Sequence, residues 1–364
     1  MKFLNLKIIR DYFYRLNSFQ IFVLSFSICL LFYITEGILG IDRFYHPDSA
    51  HYLTKNYNLN LSKILSNPTY IFRKGYYVFS DLLNNNYYLL ISANFVLYSF
   101  TNIMIYQKVF KNYFTSLTNL KLFLLFYLLF LDPYRLHLAS HVLKETTLIF
   151  IMITIILSNF KMIKIIFTLL LEVFRHNSLI YLLIFFTYSN IKKITRPIKK
   201  IVKSKIIYII FFLLIFLSII FLITNKNIHN FILIEFEKFI NLIEIYYYKS
   251  MPIRSYDHVP LFRDFGFPTG FILKNITWPL MLVSGFFIFF TSSFLFKFLG
   301  LVIILNNLLI YTITKKTYIS LGLLIILLLI SIYTSSYTPM FRYSYIAIYA
   351  SVIYFFYKAG VKKL

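Results

Sequence analysis

The chain has 364 residues, 59% of them hydrophobic, 21% aromatic and only 14% charged, which is more apolar surface than one soluble core could enclose. Its formal net charge of +24 is spread over short connections between apolar runs rather than gathered in a stripe, which points away from nucleic acid and toward the basic cytoplasmic loops of a membrane protein. The AT-rich codons of Lys, Asn, Ile, Phe and Tyr offer a second explanation for the same bias.

Apolar runs near or above the roughly 20 residues that cross a hydrocarbon core lie at 19–41, 87–106, 141–157, 206–224, 276–296, 299–313, 319–333 and 343–357, with a shorter one at 120–131. Such unbroken runs are helices, not barrel strands. The expected fold is an all-α polytopic transmembrane bundle of about ten spans in a single integral membrane domain, 1–364. The first run is too long for a signal-peptide core and lacks a small-residue cleavage site, so it is expected to stay as an anchor. The single cysteine, Cys29, lies inside it and can form no intrachain disulfide.

The bases orient the spans. Lys2, Lys7, Arg10 and Arg15 precede the first span, Lys108, Lys111 and Lys121 follow the second, and Lys161 and Lys164 follow the run ending at 157; these ends are expected in the cytoplasm. That places 42–86 outside as a first external loop. It also makes 120–157 a hairpin whose outer turn carries Asp132, Pro133, Arg135, His137, His141, Lys144 and Glu145. The dense run Lys192, Lys193, Arg196, Lys199, Lys200, Lys203 and Lys205 must be inside as well. The stretch 164–192 therefore enters and returns as a short hairpin or re-entrant pair, with Glu172, Arg175, His176 and Asn177 at its polar tip. A second external loop, 225–274, contains an amphipathic stretch in which Asn230, Glu237, Lys238, Asn241 and Glu244 oppose Ile232, Phe236, Phe239 and Ile243. Such a helix is expected to lie along the outer interface. With the C-terminus inside, 335–342 is external, and of the 13 acidic residues all but Asp11 fall on the outer side.

Chemistry is sought on that side. In His46-Pro47-Asp48-Ser49-Ala50-His51-Tyr52, Asp48 is placed either to cap a helix or to hold a carboxylate at the membrane surface, where it can take a proton from a hydroxyl. Arg175 is either a cation at membrane depth and so a functional candidate, or a local partner of Glu172 three residues earlier. His137 and His141, four residues apart, could hold a metal ion, but Lys144 continues their stripe and no carboxylate ligand is evident, so no metal is expected.

An acidic residue in the first external loop shortly before a tyrosine, Lys74-Gly75-Tyr76-Tyr77 leading into a second span with Asn94, and Pro339-Met340-Phe341-Arg342-Tyr343 opening the last span together resemble the polytopic C-type glycosyltransferases that use lipid-phosphate sugar donors. Lys144-Glu145 and Arg175-His176-Asn177 resemble the membrane-embedded charged positions of O-antigen and capsule polymerases. The chain departs from the pattern in having Asp48-Ser49 where an Asp-Glu pair is usual, and in lacking prolines after Arg342-Tyr343. The resemblance implies a bacterial cytoplasmic-membrane protein that transfers or polymerises sugars carried on a polyprenyl phosphate or diphosphate at the outer face, with no cofactor. Its partners would be that lipid-linked glycan, membrane lipids, and the chain-length or export components of a polysaccharide assembly system. Asp48 would be the catalytic base, and Arg135, Lys144, Arg175 and Arg342 would bind the phosphate through planar or point-charge donors. In the large loop, Arg254, Asp257, Arg263 and Asp264 stand among aromatic residues that suit sugar stacking and hydroxyl bonding, or an interfacial aromatic belt. The alternative is a transporter or flippase of a lipid-linked sugar or other solute, which the lack of a visible inverted repeat disfavours.

Overall fold

The computed structural model describes residues 14–41, 47–54, 74–175, 178, 182, 234, 236–238, 240–242, 244–245, 266–289, 294–333 and 337–361. Among these the chain is helical, with no strand. In chain order the helices are α1 (Ser18–Ile38), α2 (Pro47–Thr54), α3 (Gly75–Leu82), α4 (Tyr87–Lys108), α5 (Asn119–Phe130), α6 (Pro133–Ser140), α7 (Glu145–Leu157), α8 (Lys161–Phe174), α9 (Thr269–Ser284), α10 (Phe294–Thr314), α11 (Leu321–Tyr333) and α12 (Tyr337–Val361). Short 3-10 turns follow α4 and α9.

Four helical stretches among the described residues are long and apolar enough to cross a membrane: Ser18–Ile38, Tyr87–Tyr113, Asn119–Ser140 and Lys297–Thr314. Glu145–Leu157 and Leu321–Ile332 are apolar but shorter. The protein is therefore a membrane protein, with four such helices described against the about ten spans expected. The expected span at 206–224, the basic run at 192–205 and most of the return arm of the 164–192 hairpin lie outside the described residues.

The chain divides into two compact units, one of Met1–Leu182, Met281–Ile319 and Phe341–Leu364, the other of Leu183–Leu280 and Ser320–Met340. In the first, α4 is the central helix, packed by α1, α6 and α7, with α8 against α7. Local chemistry sets the helix starts. Asn17 and Gln20 form a reciprocal capping box on α1, with backbone-to-side-chain bonds of 2.8 and 2.9 Å, and Asn86 Oδ1 accepts from Tyr88 N–H and Leu89 N–H at the head of α4. α1 turns Phe19, Leu31 and Ile38 outward, and α8 does the same with Met162, Ile165 and Leu169. Apolar faces of that extent suit lipid rather than water.

The interior of α4 is polar for a helix so enclosed. Asn94, Ser99, Thr101 and Asn102 are all buried, and each finds a partner across or along the bundle: Asn102 Nδ2 donates to Ser25 Oγ at 3.0 Å, Asn94 Nδ2 to the His141 carbonyl at 2.8 Å, and Ser99 and Thr101 back-bond along α4. In lipid such bonds replace water as the partner of each polar group.

Two expected elements take a different form. The 120–157 hairpin has no plain outer turn. Asp132-Pro133 starts a new helix, α6, with Asp132 Oδ1 accepting from Tyr134 N–H and Arg135 N–H and Pro133 in the first turn. The chain then leaves helical geometry at His141 (φ −119°, ψ 156°) before α7 begins at Glu145. The expected span 276–296 is likewise broken. α9 opens at Thr269 and stops at Ser284, because Gly285 takes φ +79°, a conformation costly for other residues. The turn that follows packs on α10 so closely that a Cβ on Gly300 would lie 1.7 Å from Ile288 Cγ2. α10 consequently starts at Phe294, inside the run expected to be one span.

In the second unit Lys274 falls within α9 rather than at a loop end. It is buried and sits 4.8 Å from the Trp278 ring centroid, while Ser331 Oγ of α11 donates to Asn275 Oδ1 at 2.6 Å. Residues 234, 236–238, 240–242, 244 and 245 of the expected amphipathic stretch are helical. Phe236 and Leu242 are exposed there, and so are Glu237 and Lys238.

Candidate functional site

Asp48 does not cap α2. Pro47 occupies the first helical position, and Asp48 follows it inside the first turn, where a carboxylate favours the positive end of the helix. From there Asp48 Oδ2 meets Arg342 Nη2 of α12 at 2.5 Å, a contact between residues 294 positions apart. The two partners differ in access: the Asp48 side chain is 42% exposed and that of Arg342 only 8%.

Behind this pair lies Glu145, the first residue of α7. It is 1% exposed, and its Oε1 is 3.7 Å from Arg342 Nε. Neither carboxylate oxygen of Glu145, nor Arg342 Nε, makes a hydrogen bond among the described residues. Glu145 is thus a buried anion compensated by an ion pair at the helix N-terminus, with unused acceptor capacity. Its field reaches the aromatic wall beside it. The Tyr52 hydroxyl is pushed up from its ordinary value first by burial, then by Glu145 and Asp48; Tyr76 is raised by burial and by Glu145. These two rings stand edge to face at 4.6 Å, and the Tyr52 carbonyl accepts from Ser80 Oγ at 2.9 Å, which fixes α2 on α3. Both phenols therefore remain neutral donors at the edge of the site.

Lys144 and Arg175 arrive over a shared ring. Arg175 closes the end of α8 in extended geometry, and its Cζ lies 3.5 Å from the centroid of Tyr343; Lys144 Nζ, at the start of α7, lies 5.9 Å from the same centroid. A cation held over a ring face keeps its charge while shedding some water. Lys144, Arg175 and Arg342 thus gather near Asp48 and Glu145, with the buried Glu172 three residues before Arg175.

Arg135 is placed otherwise. It is 2% exposed, and its guanidinium donates to the carbonyls of Leu129 and Tyr98 at 3.1 and 3.2 Å and to Tyr349 Oη at 2.6 Å. It also stacks 3.9 Å from the Tyr98 ring centroid. Its fork is engaged by protein acceptors and locks α4, α5 and α12 together. Arg254, Asp257, Arg263 and Asp264 lie outside the described residues, as do His176 and Asn177.

A second constellation borders the first. Glu36, in the last turn of α1, is 6% exposed. Its Oε1 is 2.6 Å from His137 Nδ1, and its Oε2 is 3.6 Å from His141 Nε2. The two imidazoles are 4.5 Å apart, centroid to centroid. His137 and His141 do not share a helix face with Lys144, since α6 ends between them, yet the break itself swings His141 back toward Glu36. The sequence reading names both histidines and passes over Glu36. The available signal was an acid standing within an apolar run.

No protein-family model, no curated protein and no solved structure matches this chain.

Proposed function

We propose that the protein is a membrane glycosyltransferase or polysaccharide polymerase that acts on polyprenyl-phosphate- or diphosphate-linked sugars at the outer face of a bacterial cytoplasmic membrane, within an about ten-span bundle whose termini are cytoplasmic. The observation that carries this reading is the meeting of Asp48 and Arg342, backed by Glu145 and flanked by Lys144 and Arg175. A lipid-linked sugar brings an anion to a fixed depth at the membrane surface and needs cations there. It also needs a way to remove a proton from the incoming hydroxyl.

In this mechanism the phosphate of the donor takes over donors of Arg342, with Lys144 and Arg175 completing the cationic cradle. Asp48, relieved of its partner, accepts the proton of the acceptor hydroxyl. The hydroxyl oxygen bonds to the anomeric carbon as the bond from that carbon to the phosphate oxygen breaks, and the lipid phosphate leaves with the electron pair. The three cations stabilise the charge it gains. Glu145 keeps Arg342 oriented and prevents the cradle from holding the product too tightly. Chain-length or export components of the same assembly system would receive the product.

The test is made in the native host. Asp48→Asn and Arg175→Ala should each shorten or deplete the surface glycan, with an activity loss on the order of a hundredfold for the purified enzyme given a lipid-linked sugar, while the protein accumulates at the normal level. Unchanged glycan length and amount in both variants would remove the basis of the reading. Movement of the lipid-linked sugar across vesicles with no new glycosidic bond would identify a flippase instead.

A further inference from the structure

We propose that Glu36, His137 and His141 form a site for one divalent transition-metal ion of the zinc class. The three ligands come from separate places: the last turn of α1, the middle of α6 and the extended residue that ends α6. One ligand atom from each lies within 4.8 Å of the others, and all three residues are buried. An ion bound at the 2.0–2.2 Å typical of zinc to nitrogen and oxygen sets its ligand atoms roughly 3.3–3.6 Å apart. The 2.6 Å contact of Glu36 falls short of that separation and its 3.6 Å contact lies at the upper end of it, and the three ligand atoms already gather within 4.8 Å of one another.

The surroundings of the ligands are those of a held site. Asn94 Nδ2 donates to the carbonyl of His141 at 2.8 Å, pinning the residue where the chain leaves the helix. The Tyr134 ring lies nearly parallel to His137 with centroids 6.0 Å apart, limiting its rotation. Two imidazoles and one carboxylate are the donor set of a catalytic zinc site, which leaves a fourth position for water or a substrate oxygen. The carboxylate that the His137–His141 spacing lacks in sequence is supplied 101 residues earlier in the chain. A metal-free arrangement, in which Glu36 simply accepts a hydrogen bond from His137, is the competing account, and it predicts no preference for a divalent ion.

The experiment needs no glycosyltransferase assay, so its outcome is separable from the fate of the proposed function. The full chain is purified in detergent without a polyhistidine tag, stripped with a chelator, and titrated with Co2+ and then Zn2+. Wild type should take up about one ion per chain, show visible Co2+ ligand-field bands that Zn2+ abolishes, and unfold at higher temperature with Zn2+ present. Glu36→Gln and His141→Gln should each weaken binding at least about 100-fold, beyond what changes to supporting residues usually give, and His51→Gln should leave it unchanged. Wild type with no ligand-field bands and a zinc content below about one ion per five chains would overturn the site. So would wild-type affinity in both Glu36→Gln and His141→Gln. Should a variant fail to fold, the Co2+ spectrum of wild type still decides.

Discussion

Arg342 is paired with two carboxylates of opposite accessibility, and removing each should cost very different amounts. Asp48 meets it at 2.5 Å but keeps 42% of its side chain exposed. Because solvent reaches the Asp48 carboxylate, the pair is screened toward the roughly 0–1 kcal/mol that solvent-exposed pairs retain. Glu145 is farther, at 3.7 Å, yet fully enclosed. At an effective dielectric of about 20 that pair gives about 4.5 kcal/mol, and breaking a buried pair by deleting one member typically costs about 3–5 kcal/mol because the survivor is left uncompensated. Asp48→Asn should therefore lower stability by less than about 1 kcal/mol, and Arg342→Met by about 3–5 kcal/mol. In Arg342→Met/Glu145→Gln most of the loss should be recovered, with a coupling energy of about 2–3 kcal/mol. The assay is reversible unfolding in mixed micelles with increasing denaturing detergent, read as the ratio of folded to unfolded protein. Over the predicted range Arg342→Met should shift that ratio by roughly two to nearly four powers of ten. If Asp48→Asn is as damaging as Arg342→Met, or if the Arg342–Glu145 double variant is simply additive, then Glu145 is not the group that Arg342 compensates.

Two other outcomes are expected. Arg135→Lys should destabilise the protein by about 2–4 kcal/mol in the same unfolding assay, since an ammonium cannot reproduce the fork that reaches Leu129, Tyr98 and Tyr349; wild-type stability would show that charge alone suffices there. For sidedness, a Cys29→Ser background carrying Thr54→Cys or Asn84→Cys should react with an impermeant thiol reagent from outside the cell. Lys111→Cys should react only after the membrane is opened, and the reverse pattern would invert the topology.

Elements bounded by strong local signals were legible without the structure. The runs read at 19–41 and 87–106 became Ser18–Ile38 and Tyr87–Lys108, because a long apolar segment opened by an asparagine N-cap has few alternatives. The run at 276–296 was misjudged for a physical reason: hydropathy is blind to the positive φ of Gly285 and to the closeness of Gly300 and Ile288, which turn the chain midway. The outer hairpin was read as a turn although Asp132-Pro133 is itself a helix-start signal.

The site divides along the same line. Placing Asp48, Lys144, Glu145, Arg175 and Arg342 on one side follows from counting bases around spans, and that count is additive along the chain. Which of them touch depends on how α2, α7, α8 and α12 pack, and no spacing in the sequence encodes a contact across 294 positions. Arg135 makes the limit plain, since its neighbours in sequence do not distinguish an arginine turned to a substrate from one clasped by Tyr98 and Tyr349. Glu36 makes the opposite point. An acid inside an apolar run is costly wherever it ends up, so the sequence alone required a compensating partner for it. The outer segments offered several partners, among them the histidines and basic residues of the 120–157 hairpin, Arg175, His176 and Arg342. The structure chose the histidines, which replaces a simple charge pair with a donor set that a metal ion can use.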